Sequence, residues 1–167
     1  GVASRHLHDH VEPGDFIDAR KPAGAFVLPG GDGPAVLVSA GIGATPMVSM
    51  LHAISMSDAA RPVWYIHGAR DGRRHALNRE VEGLAAGRDN IHVHVAFSQP
   101  GPEDSKDRDY DSVGRIDGKL LVDLVSDPNA DYMLCGPTRF MAAVQTDLER
   151  LGVPGPRIHS ESFGPAG

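Results

Sequence analysis

The sequence predicts an α/β fold. A doubly wound, five-stranded parallel sheet is expected over residues 31–167, after a short segment, 1–30, that belongs to a different unit. Three observations predict it. From Pro34 onward, apolar runs of strand length alternate with amphipathic stretches of helix length. The runs are continuous, as in Val36-Leu37-Val38 and Val63-Trp64-Tyr65-Ile66, which suits strands covered on both faces. Glycine and proline stand where strand should give way to helix, above all in Gly41-Ile42-Gly43-Ala44-Thr45-Pro46.

Each element can be justified in order. Ser4 is expected to cap a short helix through His10. Pro13-Gly14-Asp15 reads as a turn, Phe16-Ile17 as the opening of a strand, and Lys21-Pro22 to Phe26 as an extended passage. That is too little for a core of its own, so these residues must lean on something else. Apolar surface near Phe16 and Phe26 makes self-association an expectation. The first strand of the sheet runs through Val36–Val38. Thr45 is expected to cap the following helix, with Pro46 in its first turn, where a missing N–H costs nothing. Met47, Met50, Leu51 and Ile54 then share one helical face.

Arg61-Pro62 is a break before the second strand, Val63–Ile66. A helix over 76–86 should turn Leu77, Val81 and Leu84 toward the sheet, and 90–97 is the third strand. His92 and His94 alternate with apolar residues there and mark its more polar face. Residues 98–114 form a polar loop, long enough to be either mobile or functional. Asp117 can cap a helix carrying Leu120, Leu121, Leu124 and Val125. Asp131–Cys135 is the fourth strand, Gly136-Pro137-Thr138 a second glycine–proline helix start, and 140–151 a helix stopped by Gly152. The final strand is 157–163.

Composition removes several function classes. The chain has 167 residues, with 16 basic and 22 acidic side chains and a net charge of −6. No basic stripe suggests nucleic acid as a partner. No apolar run approaches a membrane span, and no signal-peptide pattern is visible. The single cysteine, Cys135, excludes an internal disulfide framework and a cysteine-only metal site, and is compatible with a reducing cytoplasm. His6, His8 and His10 invite a metal reading, but only His6 and His10 share a helical face and no partner ligand has familiar spacing. No metal site is assigned.

In a sheet of this kind, ligands bind beyond the carboxyl ends of the strands, near the point where strand order reverses. Four sequence features fall there: Gly41–Pro46, His67–Arg74, Ser98 and Cys135–Pro137. Gly41 and Gly43 remove Cβ atoms at a sharp turn, and the following helix start offers free N–H groups and a positive dipole end to a nucleotide pyrophosphate. A strand–helix turn that simply needs glycines is the competing reading. The third position of the G-x-G-x-x-G fingerprint is Pro46, which argues against a plain Rossmann dehydrogenase. Arg70, Arg73 and Arg74 stand where an NAD site often carries an acid, and suit a ribose 2′-phosphate, favouring NADPH over NADH. The competing reading is a solvated basic loop. Cys135 can be a small buried hydrophobe or can lie beside a nicotinamide ring.

The ordered set Gly1-x-x-Ser4, Pro22-x-Gly24-x-Phe26, Gly41-Ile-Gly-Ala-Thr-Pro46, His67-Gly-Ala-Arg70, Tyr110-Asp-x-x-Gly-Arg115, Cys135-Gly-Pro137 and Glu161-x-Phe163-Gly-Pro resembles the ferredoxin–NADP⁺ reductase superfamily. It looks closest to the reductase part of flavohemoglobins and related multidomain flavin reductases. The resemblance implies a hydride passed from NAD(P)H to FAD, then electrons to a haem, iron–sulfur or other acceptor domain. It implies that Gly1 and Ser4 contact the flavin pyrophosphate. Gly41, Gly43, Thr45 and Pro46 would hold the nicotinamide nucleotide's phosphates, and Arg70 would face the adenosine ribose. Cys135, Gly136 and Pro137 would lie beside the nicotinamide, and Glu161 and Phe163 near the flavin ring. Residues 1–30 would then be the end of an FAD-binding β-barrel. The rest of that barrel, with its Arg-x-Tyr-Ser-type motif, would precede Gly1. The FAD site is therefore expected to be incomplete here, with FAD held weakly by this chain alone. The other readings are a non-catalytic nucleotide-binding or interaction module and a dehydrogenase with its own substrate.

Overall fold

The computed structural model describes residues 2–21, 23–31, 33–57 and 61–163. Six parallel strands form one sheet: β1 (Ala35–Ala40), β2 (Val63–Ala69), β3 (Ile91–Phe97), β4 (Ser112–Val113), β5 (Asp131–Cys135) and β6 (Ile158–Glu161). Their order is β4-β3-β2-β1-β5-β6. The chain builds outward from β1 to one edge, then returns to lay β5 on the other side of β1. This reversal defines a doubly wound sheet and opens a crevice between the carboxyl ends of β1 and β5.

Alternation along β1 assigns its two faces. Ala35 and Leu37 pack with Met47, Leu51, Tyr65 and Val81, under α2 (Ala44–Ser55) and α3 (Asn78–Ala85). Val36 and Val38 pack with Leu121, Val144 and Leu148, under α4 (Gly118–Leu124) and α5 (Thr138–Arg150). The continuous apolar runs thus reflect burial on both sides. Asp117 caps α4 as its sequence suggests, accepting the Leu120 amide at 2.8 Å. Asp117→Ala is expected to cost about 1 kcal/mol, measured by urea unfolding.

Several expectations are corrected. The sheet has six strands rather than five, because the 98–114 loop contains the two-residue β4. That edge strand pairs only through Ala96↔Ser112 and Phe97↔Val113, and needs no apolar pattern of its own. The loop is tied down by carboxylates: Asp104 accepts the Gly72 and Gly101 amides, Asp109 the Ser105 amide and Asp111 the Val95 amide. Leu77 stays outside the core, because α3 starts one residue later and Leu77 turns the chain with φ +63°. No strand forms at Phe16-Ile17: Phe16 is fully exposed, and among the described residues the segment has no neighbouring strand to supply backbone partners. Ser4 lies inside α1 (Val2–His10) and does not cap it; none of the α1 residues is buried. His6 and His10 do share a face there, with rings 5.3 Å apart. Gly1, Pro22 and residues 164–167 lie outside the described residues.

The segment leading into β1 is held from below. Phe26 and Leu28 pack against the α2 side of the core. Arg61 donates to the Pro29 and Gly33 carbonyls, both at 2.7 Å, and approaches Asp131 at 3.4 Å. Arg157 and His159 reach the other oxygen of Asp131 at 3.4 and 3.7 Å. Asp131 is buried, so the Arg61 and Arg157 guanidiniums compensate a carboxylate that burial would otherwise penalise.

Candidate functional site

At the end of β1, Gly41–Gly43 make a 3-10 turn that runs straight into α2. Its two glycines answer different demands. Gly41 adopts φ +55°, and nothing lies within 4 Å of where a Cβ would stand, so that side of the turn is open. Gly43 has an ordinary φ of −61° but no space: a Cβ would fall 2.1 Å from the Cys135 carbonyl oxygen and 2.8 Å from the Gly136 nitrogen. Gly136 is less crowded but still tight, with a Cβ position 3.0 Å from Phe140 Cδ1 and 3.1 Å from the Ala40 carbonyl oxygen. The missing side chains let the β1 turn and the Cys135–Gly136 backbone close on each other. Thr45 does not cap α2. The 3-10 turn moves the helix start back to Ala44, and the Thr45 hydroxyl donates to the Ile42 carbonyl at 3.0 Å. Pro46 stands in the first turn as its φ requires. These features fit the phosphates of a nucleotide: an open helix start, with backbone amides and a positive dipole end facing the crevice mouth.

Strand register assembles a row along the same rim. Ser39 pairs with His67 on one side and Cys135 on the other, and Cys135 pairs with Glu161. The Cys135 side chain is fully buried, and burial together with the Glu161 carboxylate raises its thiol above the ordinary value. It is a neutral thiol at pH 7, a packing group rather than a nucleophile. Glu161 and Phe163 are exposed. With Pro46, Phe26 and Val27 they line a shallow depression of about 390 Å³.

The far end of the crevice is set by β2 and β3. Ser98 donates its amide to Ala69 at 3.0 Å, and Gln99 to the Arg70 carbonyl at 2.8 Å. The main chain at Arg70 is thereby fixed and its side chain exposed. Arg73 faces Glu103 at 3.6 Å and Arg74 holds Asp71 at 2.6 Å. Among the described residues, Arg70 makes no ion pair, so of the three arginines it is the one whose charge is not already answered. His67, at the end of β2, is buried, with its Nδ1 2.8 Å from the Ser39 hydroxyl.

The structure therefore brings Gly41, Gly43, Thr45, Pro46, Cys135, Gly136 and Pro137 to one crevice, with Glu161 and Phe163 beside it and Arg70 and Ser98 at its other end. Ser4 is not brought to this crevice by any described contact; its helix stands apart. Among the described residues, no group of three or more His, Cys, Asp or Glu is arranged to hold a metal ion. No described helix is long and apolar enough to cross a membrane.

The profile of the oxidoreductase NAD-binding domain matches residues 37–146. The chain belongs to that family. An oxidoreductase NAD-binding domain of this kind spans β1 through most of α5. The match thus takes in the glycine turn, Arg70, Ser98 and Cys135–Pro137, and leaves Ser4, Glu161 and Phe163 outside it. Flavohemoprotein from Bordetella pertussis is 42% identical over 168 residues, covering 100% of this chain and 42% of the relative. The chain thus spans less than half the length of that relative. The flavohem-like FAD/NAD binding domain of nitric oxide dioxygenase from Vibrio cholerae superposes with a TM-score of 0.81 at 33% identity, covering 99% of this chain and 65% of the other. The Amycolatopsis cytochrome P450 reductase GcoB gives 0.80 at 26% identity, covering 100% and 50%. This NAD-binding domain is of the ferredoxin reductase superfamily, close to the reductase part of flavohemoglobins.

One polar contact of the NAD-binding domain escapes the sequence reading, which placed His67 at the crevice but did not pair it with Ser39. Ser39 and His67 are fully buried, yet each sits in an apolar run where it reads as a minor interruption. Only the β1–β2 register shows that they face each other. The one signal in sequence is the period-2 placement of His67 after Val63 and Tyr65, which puts all three on one face.

Proposed function

We propose that the chain is the NAD(P)H-binding module of a flavin-dependent oxidoreductase, serving hydride transfer from NAD(P)H to FAD and onward electron transfer to a haem, iron–sulfur or other acceptor domain. The observation that carries this reading is the closure of Gly43 on the Cys135–Gly136 backbone. It supports the reading because a helix start suited to phosphate and a second glycine–proline rim then lie on either side of one switch-point crevice. The names of the relatives, a flavohemoprotein, an FAD/NAD binding domain and a P450 reductase, support the same chemistry.

In this reading the Gly41–Pro46 turn binds the pyrophosphate through amides and helix dipole. Arg70 offers its planar guanidinium to the adenosine ribose and any phosphate on it. Cys135, neutral and buried, gives the nicotinamide a dry and weakly polar edge, with Gly136 and Pro137 setting how closely the ring can approach. Phe163 presents an exposed aromatic face to a flavin ring, and Glu161 a carboxylate beside it. The nucleotide, when bound, supplies the hydride; the protein supplies position and exclusion of water. Residues 1–30 belong to the FAD-binding unit, which explains the bare surface of α1 and Phe16. The remainder of the FAD-binding unit and the acceptor domain are partners outside these 167 residues. The chain works in the cytoplasm, where its single buried thiol stays reduced.

Calorimetric titration with NADPH and NADH, each with and without FAD, tests the assignment. Micromolar to millimolar binding of at least one nucleotide is expected. Arg70→Ala should weaken NADPH by about tenfold, the scale of one lost charge-assisted hydrogen bond, and NADH by less. Absence of binding by both nucleotides would overturn the reading.

A further inference from the structure

The turn that follows β2 is attached to the domain at two places, and one of them can titrate. The turn Gly72–Arg74 carries Arg73 and Arg74 and follows directly on Arg70 and Asp71. At its start, the Gly72 amide donates to Asp104 at 3.2 Å. At its end, the Arg74 and His75 amides donate to the Asp71 and Gly72 carbonyls. The His75 ring then lies nearly parallel to His67, at 13° and 5.3 Å between centroids. Phe97 meets the outer side of His75 edge-on at 5.6 Å and is itself stacked on Tyr110 at 5.1 Å. His67 is the fixed member of the pair, buried and bonded to Ser39, with the Tyr65 ring 6.3 Å away. His75 is the less buried member, half-buried at the margin of a depression of about 310 Å³.

We propose that the stacked His67–His75 pair is an acid-sensitive latch, which holds the Asp71–Arg74 turn against the sheet while both rings are neutral and releases it when His75 takes up a proton. Its consequence for nucleotide binding rests on the reading of the crevice given above, in which this turn forms the adenosine end.

The charges facing the pair define the sign. Among the described residues, His67 is faced by the Ser39 hydroxyl, the Tyr65 ring and His75 itself, and no carboxylate is bonded to it. A proton on His75 therefore sets a cation against a buried neutral ring that cannot share it. Around His75, Glu82 of α3 favours protonation, and Arg73, Glu103, Asp104, Arg108 and Asp109 are the charged side chains that line the same depression. Burial outweighs Glu82 and lowers His75 below 6.5, while burial and then His75 lower His67 to about 4. Both groups favour the neutral form when the turn is docked. The latch is therefore complete above the ordinary imidazole value and weakens as pH falls through and below it. His75 opens first, because it is the less buried of the two.

The test uses the full chain and ADP-ribose, which carries the adenosine and pyrophosphate and has no group titrating between pH 5.5 and 7.5. Backbone amide exchange reports the turn directly. Protection factors at Arg74 and His75, corrected for intrinsic rate, should fall severalfold from pH 7.5 to 5.5 while β1 and β5 stay protected. ADP-ribose affinity should fall over the same range in proportion to the docked fraction that is lost, by about tenfold only if about nine-tenths of it is lost. His75→Phe keeps a ring in the stack and removes the titration; both quantities should become independent of pH. His75→Ala should leave the turn unprotected at both pH values. The proposal is overturned if His75→Phe keeps the acid loss of protection, or if the wild-type turn shows none. A wild-type chain that loses protection in acid yet never binds ADP-ribose would support the latch and refute the nucleotide reading.

Discussion

Gly43→Ala is expected to destabilise the domain by about 3 kcal/mol, the upper range for overpacking a site that cannot relax, and to abolish nucleotide binding. The added methyl would stand 2.1 and 2.4 Å from the carbonyl oxygen and carbon of Cys135 and 2.8 Å from the Gly136 nitrogen. All three atoms are backbone, held by the β1–β5 pairing, so no side chain can swing aside. Since φ at Gly43 is −61°, none of the cost is torsional. Gly41→Ala is the matched control: its methyl meets nothing within 4 Å, and the left-handed φ of +55° should cost only about 1 kcal/mol. Urea unfolding of the two variants separates steric closure from backbone freedom. If Gly43→Ala proves no more damaging than Gly41→Ala, the crevice is not closed as described.

Arg61→Ala should cost about 3 kcal/mol, the low end of what breaking a buried ion pair costs. Arg61 is buried under the sheet, where one guanidinium serves Asp131 and the carbonyls of Pro29 and Gly33. Its removal leaves two acceptors without their donor. Asp131 keeps Arg157 and His159, so Arg61→Ala should be survivable rather than fatal. Thermal unfolding gives the size. Hydrogen exchange gives the location: residues 26–33 should exchange faster and the β2–β3 pairing should not. Unchanged exchange in that segment would mean that Phe26 and Leu28 alone hold it.

What the sequence discloses follows from what each element depends on. β1, β2 and β5 are legible because both of their faces must be apolar, and that demand is written into consecutive residues; β3 is legible by alternation, with His92 and His94 on its more polar face. Asp117 is legible because a cap acts three residues away. Gly41, Gly43 and Pro46 are legible as a set because turn, close approach and helix start each restrict residue type. β4 is illegible because two edge residues bury almost nothing. Phe16-Ile17 has strand composition, but a strand exists only with a neighbour, and among the described residues none stands beside it. Thr45 fails as a cap because the chain inserts a 3-10 turn first, a choice made by contact with Cys135 rather than by Thr45. Ser39 with His67, and Arg61 with Asp131, lie 28 and 70 residues apart. Each pair is created by strand order and has no local signature. The crevice could thus be located in sequence, while the polar contacts that steady it could not.

The carboxylate-bound loop at the β3 edge has a consequence for how these molecules behave in a crowd. An outer strand with free amides and carbonyls is a template onto which a second copy can add its own strand, and such addition has no natural end. Here Asp111 takes that place: its carboxylate receives the Val95 amide at 2.7 Å, and its own amide donates to the Val95 carbonyl at 2.8 Å. The two residues of β4 close the next positions, and His94 is met by the Ser112 hydroxyl at 2.9 Å. Five acidic side chains between Glu103 and Asp111 add repulsion between like surfaces. The polar segment is therefore a guard against self-templated aggregation, and shortening it would threaten the solubility of the protein before it threatened the fold.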